Sequence, residues 1–299
     1  MNEELINDLT NGMEMIEFAN KYCNGDCKAL GKYVNDLENM GFNIKRKANT
    51  MGNIGFILDS DNKRKDFELL YDEDEFKVII ISDLHIGGAE DGLKYINDVY
   101  KYAKDNNIHV IFNIGDLFHG VNYKVKDNAA SLFLNQLKKF NELYPFDKDV
   151  ITFLILGNHD YVLFQSLGID VSKCINDRTD FINLGYGLGK IRIGNDLLLL
   201  EHDLIFTEQP ERDEHAKYIF RGHSHKYESV GNQITVPALQ DAQFYANVTS
   251  VGFSEVTFKI ENDSIKRCDV KQFDFKDGIR LINNFSYSKT SYKTKKLSI

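Results

Sequence analysis

Asp83 and His85 follow the apolar run from Val78 to Ile81, which has the character of a buried strand. Because they lie two positions apart, their side chains point to the same side of an extended backbone. A carboxylate and an imidazole placed together at the end of a strand are suitable ligands for a divalent metal. Asp-x-His is frequent by chance, so a metal site requires further ligands elsewhere in the chain.

Such ligands follow other predicted strands. Each of four further polar clusters comes directly after a short apolar run, and together with Asp83-x-His85 they contain five of the eight histidines. The clusters are Gly115-Asp116, Gly157-Asn158-His159-Asp160, Glu201-His202-Asp203 and Gly222-His223-Ser224-His225. A single histidine is usually a surface or core residue, but five placed in this way indicate one shared site.

The elements between these clusters predict how the ligands meet. From Lys77 onward, strands alternate with helices whose apolar faces run from Leu93 to Ala103 and from Ala130 to Phe140. This order predicts a parallel sheet with right-handed crossovers, in which ligands collect at the carboxyl ends of the strands. After about residue 180 short β-like runs predominate, so the first half is expected to form one layer of strands and the second half another. The predicted fold is α/β, a two-sheet sandwich flanked by helices.

Residues 1–75 predict a separate small module. Helical spacing runs from Leu5 to Phe18 and from Leu30 to Met40, and two β-like runs follow, with Lys45-Arg46-Lys47 and a turn between them. This pattern resembles a winged helix, a fold that often binds DNA. The segment holds 16 acidic against 9 basic residues, and phosphate binding depends on clustered cations. Docking of a protein and contact with nucleic acid therefore both remain open for this module.

The composition limits the classes of function. A net charge of −9 over 299 residues argues against a general polyanion binder. The N-terminus has no signal segment and no apolar run reaches the length of a membrane span. The four cysteines are scattered, and Cys23 and Cys27 lack a neighbouring second pair that would indicate a zinc site. We therefore expect a cytoplasmic protein with free thiols.

The order Asp-x-His, Gly-Asp, Gly-Asn-His-Asp, His, Gly-His-x-His resembles the calcineurin-like metallophosphoesterase superfamily over residues 77 to about 240. The resemblance implies one metal held by four side chains and a second held by three, with Asp116 shared between them. The first set is Asp83, His85, Asp116 and His225, and the second adds Asn158, His202 and His223. His159 would stay uncoordinated and face the substrate.

Two divalent ions bridged by one carboxylate would lie about 3.5–4 Å apart, clamp phosphoryl oxygens and generate hydroxide near neutral pH. Imidazole, carboxylate and amide ligands suit Mn, which we expect first, as well as Fe or Zn. His159 could then protonate the leaving group or neutralise phosphate charge. Asp160 is expected to cap the backbone or to orient His159.

His119 narrows the resemblance further. The string Gly115-Asp116-Leu117-Phe118-His119 looks like the double-strand-break-repair exonuclease branch, in which this histidine lies beside the substrate phosphate. The arginine-bearing Gly-Asp-x-x-x-Arg-Gly of the protein-phosphatase branch is absent. In the alternative interpretation, His119 merely caps the loop that follows.

These observations predict a dimetal phosphodiesterase or nuclease that acts on DNA, RNA or a nucleotide by means of a metal-bound hydroxide. A phosphomonoesterase acting on a phosphoprotein or a small molecule is the first alternative. The second is a regulator without activity, whose N-terminal module binds a partner. The predicted domains are a winged-helix-like module with its linker (1–75), a metallophosphoesterase domain (76–281) and a basic polar tail (282–299). The sequence does not predict the oligomeric state.

Overall fold

The apolar run before Asp83 forms a central strand whose side chains alternate between two cores. The computed structural model describes residues 3–59, 66–121, 128–204, 215–241 and 251–288. Val78 and Ile80 lie in a core between two sheets. Ile79 and Ile81 lie in a second core, between the sheet and the helices that cover it. All four are fully buried, as expected for a strand in a sheet that is covered on both faces.

The described residues contain seven helices and sixteen strands. The helices are α1 (Glu3–Asn11), α2 (Met15–Tyr22), α3 (Cys27–Asn39), α4 (Leu93–Asp105), α5 (Ala129–Leu143), α6 (Asn158–Leu167) and α7 (Val171–Cys174). The strands before α5 are β1 (Met13–Glu14), β2 (Ile44–Asn49), β3 (Ile54–Leu58), β4 (Phe67–Leu70), β5 (Glu75–Ile81) and β6 (Val110–Ile114). The later strands are β7 (Ile151–Leu156), β8 (Phe181–Tyr186), β9 (Leu188–Ile193), β10 (Asp196–Glu201), β11 (Tyr218–Arg221), β12 (Glu228–Val230), β13 (Gln233–Thr235), β14 (Gly252–Glu261), β15 (Ser264–Asp274) and β16 (Arg280–Ser288).

The first sheet has seven strands in the order β16-β15-β14-β5-β6-β7-β8. Strands β5 to β8 are parallel to one another, and α4 and α5 supply much of the apolar cover on one face. This arrangement confirms the predicted α/β sandwich. The expectation that the second half of the chain forms its own layer was wrong, because β14 pairs antiparallel with β5. Most residues of β14 are buried on both faces, so this strand requires a position inside a covered sheet.

The second sheet has nine strands in the order β1-β3-β2-β4-β9-β10-β11-β13-β12. Strand β4 pairs in parallel with β2 on one side and with β9 on the other, so the N-terminal strands continue the sheet of the predicted phosphoesterase domain. The order α1, β1, α2, α3, β2, β3 agrees with the winged-helix pattern, and the assignment of this module stays a prediction. The boundary near residue 75 likewise stays a prediction.

Helix α3 packs against the segment between α7 and β8. A Cβ atom on Gly31 would lie 1.7 Å from the Asp177 carbonyl oxygen, so the helix backbone touches that segment directly. Asn35 Nδ2 donates to Asp177 Oδ1 over 2.9 Å, and Thr179 Oγ1 donates to the Cys27 carbonyl over 3.0 Å. One face of α3 is therefore already occupied by the rest of the chain.

Arg46 adds a second connection between these regions. The expectation that Lys45-Arg46-Lys47 lies between two strands was wrong, because these residues form part of β2. The Arg46 guanidinium donates to the carbonyls of Phe181, at 3.0 Å, and Asn176, at 3.2 Å. A buried guanidinium requires such partners, so Arg46 binds the N-terminal strands to the start of β8.

The described part of the predicted basic polar tail forms an edge strand. Residues 282–288 belong to β16 and pair antiparallel with β15; the boundary of the tail stays a prediction. Phe285 and Tyr287 are partly buried against the core. The pairing with β15 stabilises a polar edge strand that has little apolar periodicity of its own. Lys295 and Lys296 lie outside the described residues.

The cysteines and the apolar character of the helices were also considered in the sequence. All four cysteines are free thiols. Among the helices of the described ranges, none combines the length and the apolar character needed to cross a bilayer.

Gly31→Ala should destabilise the protein although alanine favours helices. In an exposed helix this change would stabilise by about 1 kcal/mol, whereas overpacking against the Asp177 backbone should cost roughly 1–3 kcal/mol. Thermal unfolding followed by circular dichroism should therefore show a lower Tm. The matched control is Gly55→Ala, whose Cβ would meet Met13 O at an ordinary 3.5 Å. A raised Tm for Gly31→Ala would show that α3 does not pack as described.

Candidate active site

The predicted ligands meet where two sheets end. Strands β5, β6 and β7 are parallel neighbours, so Asp83, Asp116 and Asn158 leave the first sheet at the same edge. Strands β10 and β11 are parallel neighbours in the second sheet and bring His202 and His223 to the same place. The topology thus joins residues that lie up to 142 positions apart, as for Asp83 and His225.

The first group of ligand atoms belongs to Asp83, His85 and His225, whose atoms lie within 4.8 Å of one another. His225 Nε2 is 3.1 Å from Asp83 Oδ1, and His85 Nε2 is 3.7 Å from the same oxygen. The two imidazole nitrogens are 3.5 Å apart. Three donor atoms therefore face a common point.

The second group belongs to Asp116, His202 and His223, again within 4.8 Å. Asn158 joins it, because its Oδ1 lies 3.2 Å from His202 Nε2 and 3.0 Å from His223 Nδ1. All of the predicted ligands of the second metal thus lie together.

Asp116 lies between the two groups. Its Oδ2 is 3.6 Å from His85 Nε2 and 3.2 Å from His202 Nε2. Its Oδ1 accepts the backbone N–H of His159 over 2.9 Å, which fixes the direction of the carboxylate. One oxygen therefore faces both groups, as a bridging ligand requires.

Hydrogen bonds to backbone carbonyls set the protonation of two imidazoles. His202 Nδ1 lies 2.7 Å from the Ile114 carbonyl, and His159 Nδ1 lies 2.7 Å from the His119 carbonyl. A carbonyl can only accept, so the proton is on Nδ1 in both rings. The Nε2 atom of His202 therefore faces Asp116 and Asn158 and is the ring nitrogen available to a metal ion.

A third group consists of His85, His119 and His159, with ring nitrogens within 4.8 Å. The ring centroids of His85 and His159 are 4.6 Å apart, and those of His119 and His159 are 5.6 Å apart. Both histidines that were predicted to act on the substrate therefore border the first metal group, on the side of His85.

The backbone at five predicted ligands is in the left-handed region. The φ values are +54° for Asp83, +47° for His85, +51° for Asp116, +72° for His223 and +54° for His225. For residues other than glycine this conformation costs roughly 1 kcal/mol or more each, and it persists only where the surroundings impose it. Strained backbone at the turns after the strands aims these side chains inward.

Glycines allow the loops to approach one another. A Cβ on Gly157 would lie 2.2 Å from Asp116 Oδ1, and a Cβ on Gly222 would lie 2.1 Å from Ser82 Oγ. The glycine in each motif is therefore required by packing around the carboxylates. Ser82 belongs to none of the predicted ligand sets. It is buried, and its Oγ donates to the Ile114 carbonyl over 2.7 Å.

Asp160 connects two of the motifs, in agreement with the expected backbone-capping role. Its carboxylate accepts the N–H groups of Leu117, Phe118 and Gly157 at 3.1, 2.8 and 2.9 Å. Burial and the neighbouring Asp116 carboxylate raise the pKa of Asp160 to about 7, while these three donors favour the anion. Asp160 thus holds the loop after β6 against the start of α6.

The electrostatics of the site centre on two buried carboxylates. Burial would raise the pKa values of Asp83 and Asp116, but the His202 imidazole beside them holds both below the usual range. Burial alone would lower the pKa of the His202 imidazole, but the carboxylates of Asp116 and Asp83 raise it. The pKa of His223 is lowered by burial and by the neighbouring His202. The carboxylates therefore favour positive charge at this point.

The donor set fits divalent cations. It combines imidazole nitrogen, carboxylate oxygen and one amide oxygen, and the groups formed by the described residues contain no cysteine. Such mixed ligands suit Mn, Fe or Zn. The individual ligand assignments and the identity of the metal stay predictions.

One family model and two solved structures are similar to parts of this chain. Residues 76–227 match the family model of the calcineurin-like phosphoesterases. A solved archaeal phosphodiesterase is 14% identical, with a TM-score of 0.36 over 65% of this chain and 99% of its own. The nuclease MPE of Pseudomonas putida is 14% identical, with a TM-score of 0.35 over 69% of this chain and 87% of its own. The comparison with curated proteins gave no match.

Asp116→Asn should lower the binding of both metals, because the amide keeps the shape of the shared ligand but not its charge. After loading with Mn²⁺ and gel filtration, metal analysis should show a fall from about two ions per chain, the number expected for a two-metal site. The control is Asp98→Asn, the same change on the exposed side of α4, which should keep full occupancy. Full occupancy in Asp116→Asn would remove the bridging role.

Proposed function

Because the chain belongs to the calcineurin-like phosphoesterase family, a family of metal-dependent hydrolases, we propose that it cleaves phosphodiesters in DNA, RNA or nucleotides. The observation that carries the diester assignment is the position of His119. Its ring lies beside those of His85 and His159 at one border of the metal groups. A phosphodiester carries one more ester group than a monoester, and the site must accommodate this group. The His119 imidazole at this border can donate a hydrogen bond to it.

Two bound divalent cations would supply charge stabilisation for the phosphoryl oxygens and lower the pKa of a water molecule. The protein residues then orient the ester and move protons. His159 Nδ1 donates to the His119 carbonyl, so Nε2 is the atom of this ring that can exchange a proton with the leaving oxygen. The Asp116 and Asp160 carboxylates hold the backbone around His159 and its loop.

The surroundings of His119 favour a neutral imidazole ring. Burial and the neighbouring His85 and His159 rings lower the pKa of His119, so a neutral imidazole is favoured near pH 7. A neutral ring next to the phosphate contributes hydrogen bonds rather than fixed charge. This suits a diester, which carries less negative charge than a monoester.

For the N-terminal module we propose a structural role. A DNA-reading helix must reach the major groove, whereas α3 packs against the segment at Asp177. The module also shares its sheet with the phosphoesterase domain through β4. These contacts support docking within the chain over nucleic-acid contact through α3.

We propose Mn as the native metal and the cytoplasm as the location. The donor set lacks thiolate ligands, and the free cysteines suit a reducing compartment. Loading the apoprotein in parallel with Mn²⁺, Fe²⁺ and Zn²⁺ and comparing turnover would rank the metals.

With Mn²⁺ bound, the protein should hydrolyse bis-(p-nitrophenyl) phosphate faster than p-nitrophenyl phosphate. His119→Ala should slow the diester roughly tenfold more than the monoester, the loss expected for one hydrogen bond to a charged group. His109→Ala, a change at a half-buried histidine outside the three histidine groups, serves as the control. A preference for the monoester would favour a phosphomonoesterase, and hydrolysis of neither ester would favour a regulator without activity.

His159→Ala should reduce turnover roughly 10²–10⁴-fold, the usual contribution of a positioned acid or base. Metal content should stay near that of the unmodified protein, because His159 is predicted to lie outside both ligand sets. Steady-state kinetics together with metal analysis of the same sample would test this. A parallel loss of metal would make His159 a ligand.

A further inference from the structure

We infer that Gln136 is a positioning residue for His119 and His159, an inference that rests on the proposed function of this site. Gln136 lies on α5, outside every polar motif of the sequence, and its side chain is buried. Its Nε2 donates to the Gly120 carbonyl over 2.7 Å, and its Oε1 accepts the Gly120 N–H over 3.1 Å. One primary amide thus binds both backbone groups of a single residue.

The residue that Gln136 holds is in direct contact with His159. Gly120 has a φ of +70°, and a Cβ placed on it would lie 2.5 Å from the His159 carbonyl oxygen. The preceding carbonyl, that of His119, accepts the Nδ1–H of His159. Gln136 therefore fixes a two-residue segment that sets the tautomer of one histidine and carries the ring of the other.

The same face of α5 also supports the loop after β5. Lys139 lies three residues after Gln136, a spacing that places both side chains on one side of a helix. Its ammonium group is 2.5 Å from Asp91 Oδ2, and this oxygen accepts the Gly87 N–H over 2.7 Å. A Cβ on Gly87 would lie 2.4 Å from Gln136 Cγ, so this loop packs directly on the Gln136 side chain.

Backbone hydrogen bonds join the two supported loops. Ile86 N donates to the Leu117 carbonyl over 2.9 Å, and His119 N donates to the Ile86 carbonyl over 3.0 Å. These bonds join the two loops, and side chains of α5 contact them at Gly120 and at Asp91. A shared, satisfied network of this kind fixes reacting groups more closely than any one of its bonds.

The test is Gln136→Met in the full-length protein loaded with Zn²⁺, a diamagnetic ion suited to NMR. Methionine keeps the length of the side chain and removes both hydrogen bonds. In protein labelled with ¹⁵N-histidine, the His159 ring signal, assigned by its loss in His159→Ala, should shift from the Nδ1–H form toward a mixture of tautomers. For the Mn²⁺ enzyme, kcat with the diester should fall roughly 10–100-fold, the loss expected from misplaced groups, with KM little changed.

Gln136→Glu keeps the acceptor toward Gly120 N–H. Its His159 signal and its kcat should therefore lie between those of the unmodified protein and of Gln136→Met. The matched control is Asn135→Asp, the same amide-to-acid change on the exposed side of α5, which should leave both readouts unchanged. An unaltered His159 signal in Gln136→Met would overturn the inference, as would a kcat that falls only in proportion to metal content. The NMR readout requires no turnover. Failure of the unmodified protein to hydrolyse any ester would therefore contradict the proposed function without deciding this inference.

Discussion

The buried carboxylates of Asp83 and Asp116 are stable only with compensating positive charge nearby, and the rest of the structure places imidazoles around them. The side chains of Asp83 and Asp116 are at most 2% exposed, and uncompensated charges at such depth cost several kcal/mol each. Imidazoles from both sheets surround them, and His202 lies within 3.9 Å of both. The sandwich, the strained turns and the motif glycines all serve to bring these groups to one point.

The sheet topology explains why residues so distant in sequence meet. Parallel strands end at a common edge, so each polar group that follows a strand lies beside the next one. Strands β10 and β11 repeat this arrangement in the second sheet and face the first. The metal groups therefore lie where the carboxyl edges of two sheets converge, and neither sheet alone supplies both ligand sets.

The sequence predicted what depends on local pattern. The position of each motif after a strand was apparent from apolar runs, because strands covered on both faces read as continuous hydrophobic segments. The resemblance to a known family supplied the division of the ligands into two sets and the shared role of Asp116. The same resemblance assigned both His119 and His159 to the substrate, which stays a prediction, and the structure brings their rings close together.

What could not be predicted depends on pairing over long distances. Nothing in the sequence of β14 distinguishes a partner in the first sheet from one in the second. Strand β4 (Phe67–Leu70) lies in the segment that was predicted to be the linker of the N-terminal module. Its many charged residues hide the strand. Gln136 has no signal at all, since a single glutamine on an amphipathic helix resembles any polar side chain until its partner at Gly120 is known.

The left-handed turns have a consequence for how the site acquires its cations. Five of the predicted ligands are held in this conformation by the surrounding fold, so their backbone entropy is lost when the chain folds. On the proposed function, a cation would meet donor groups whose backbone is already fixed by the fold. Because the unfolded chain has no such set of donors, bound metal would add to the stability of the folded protein.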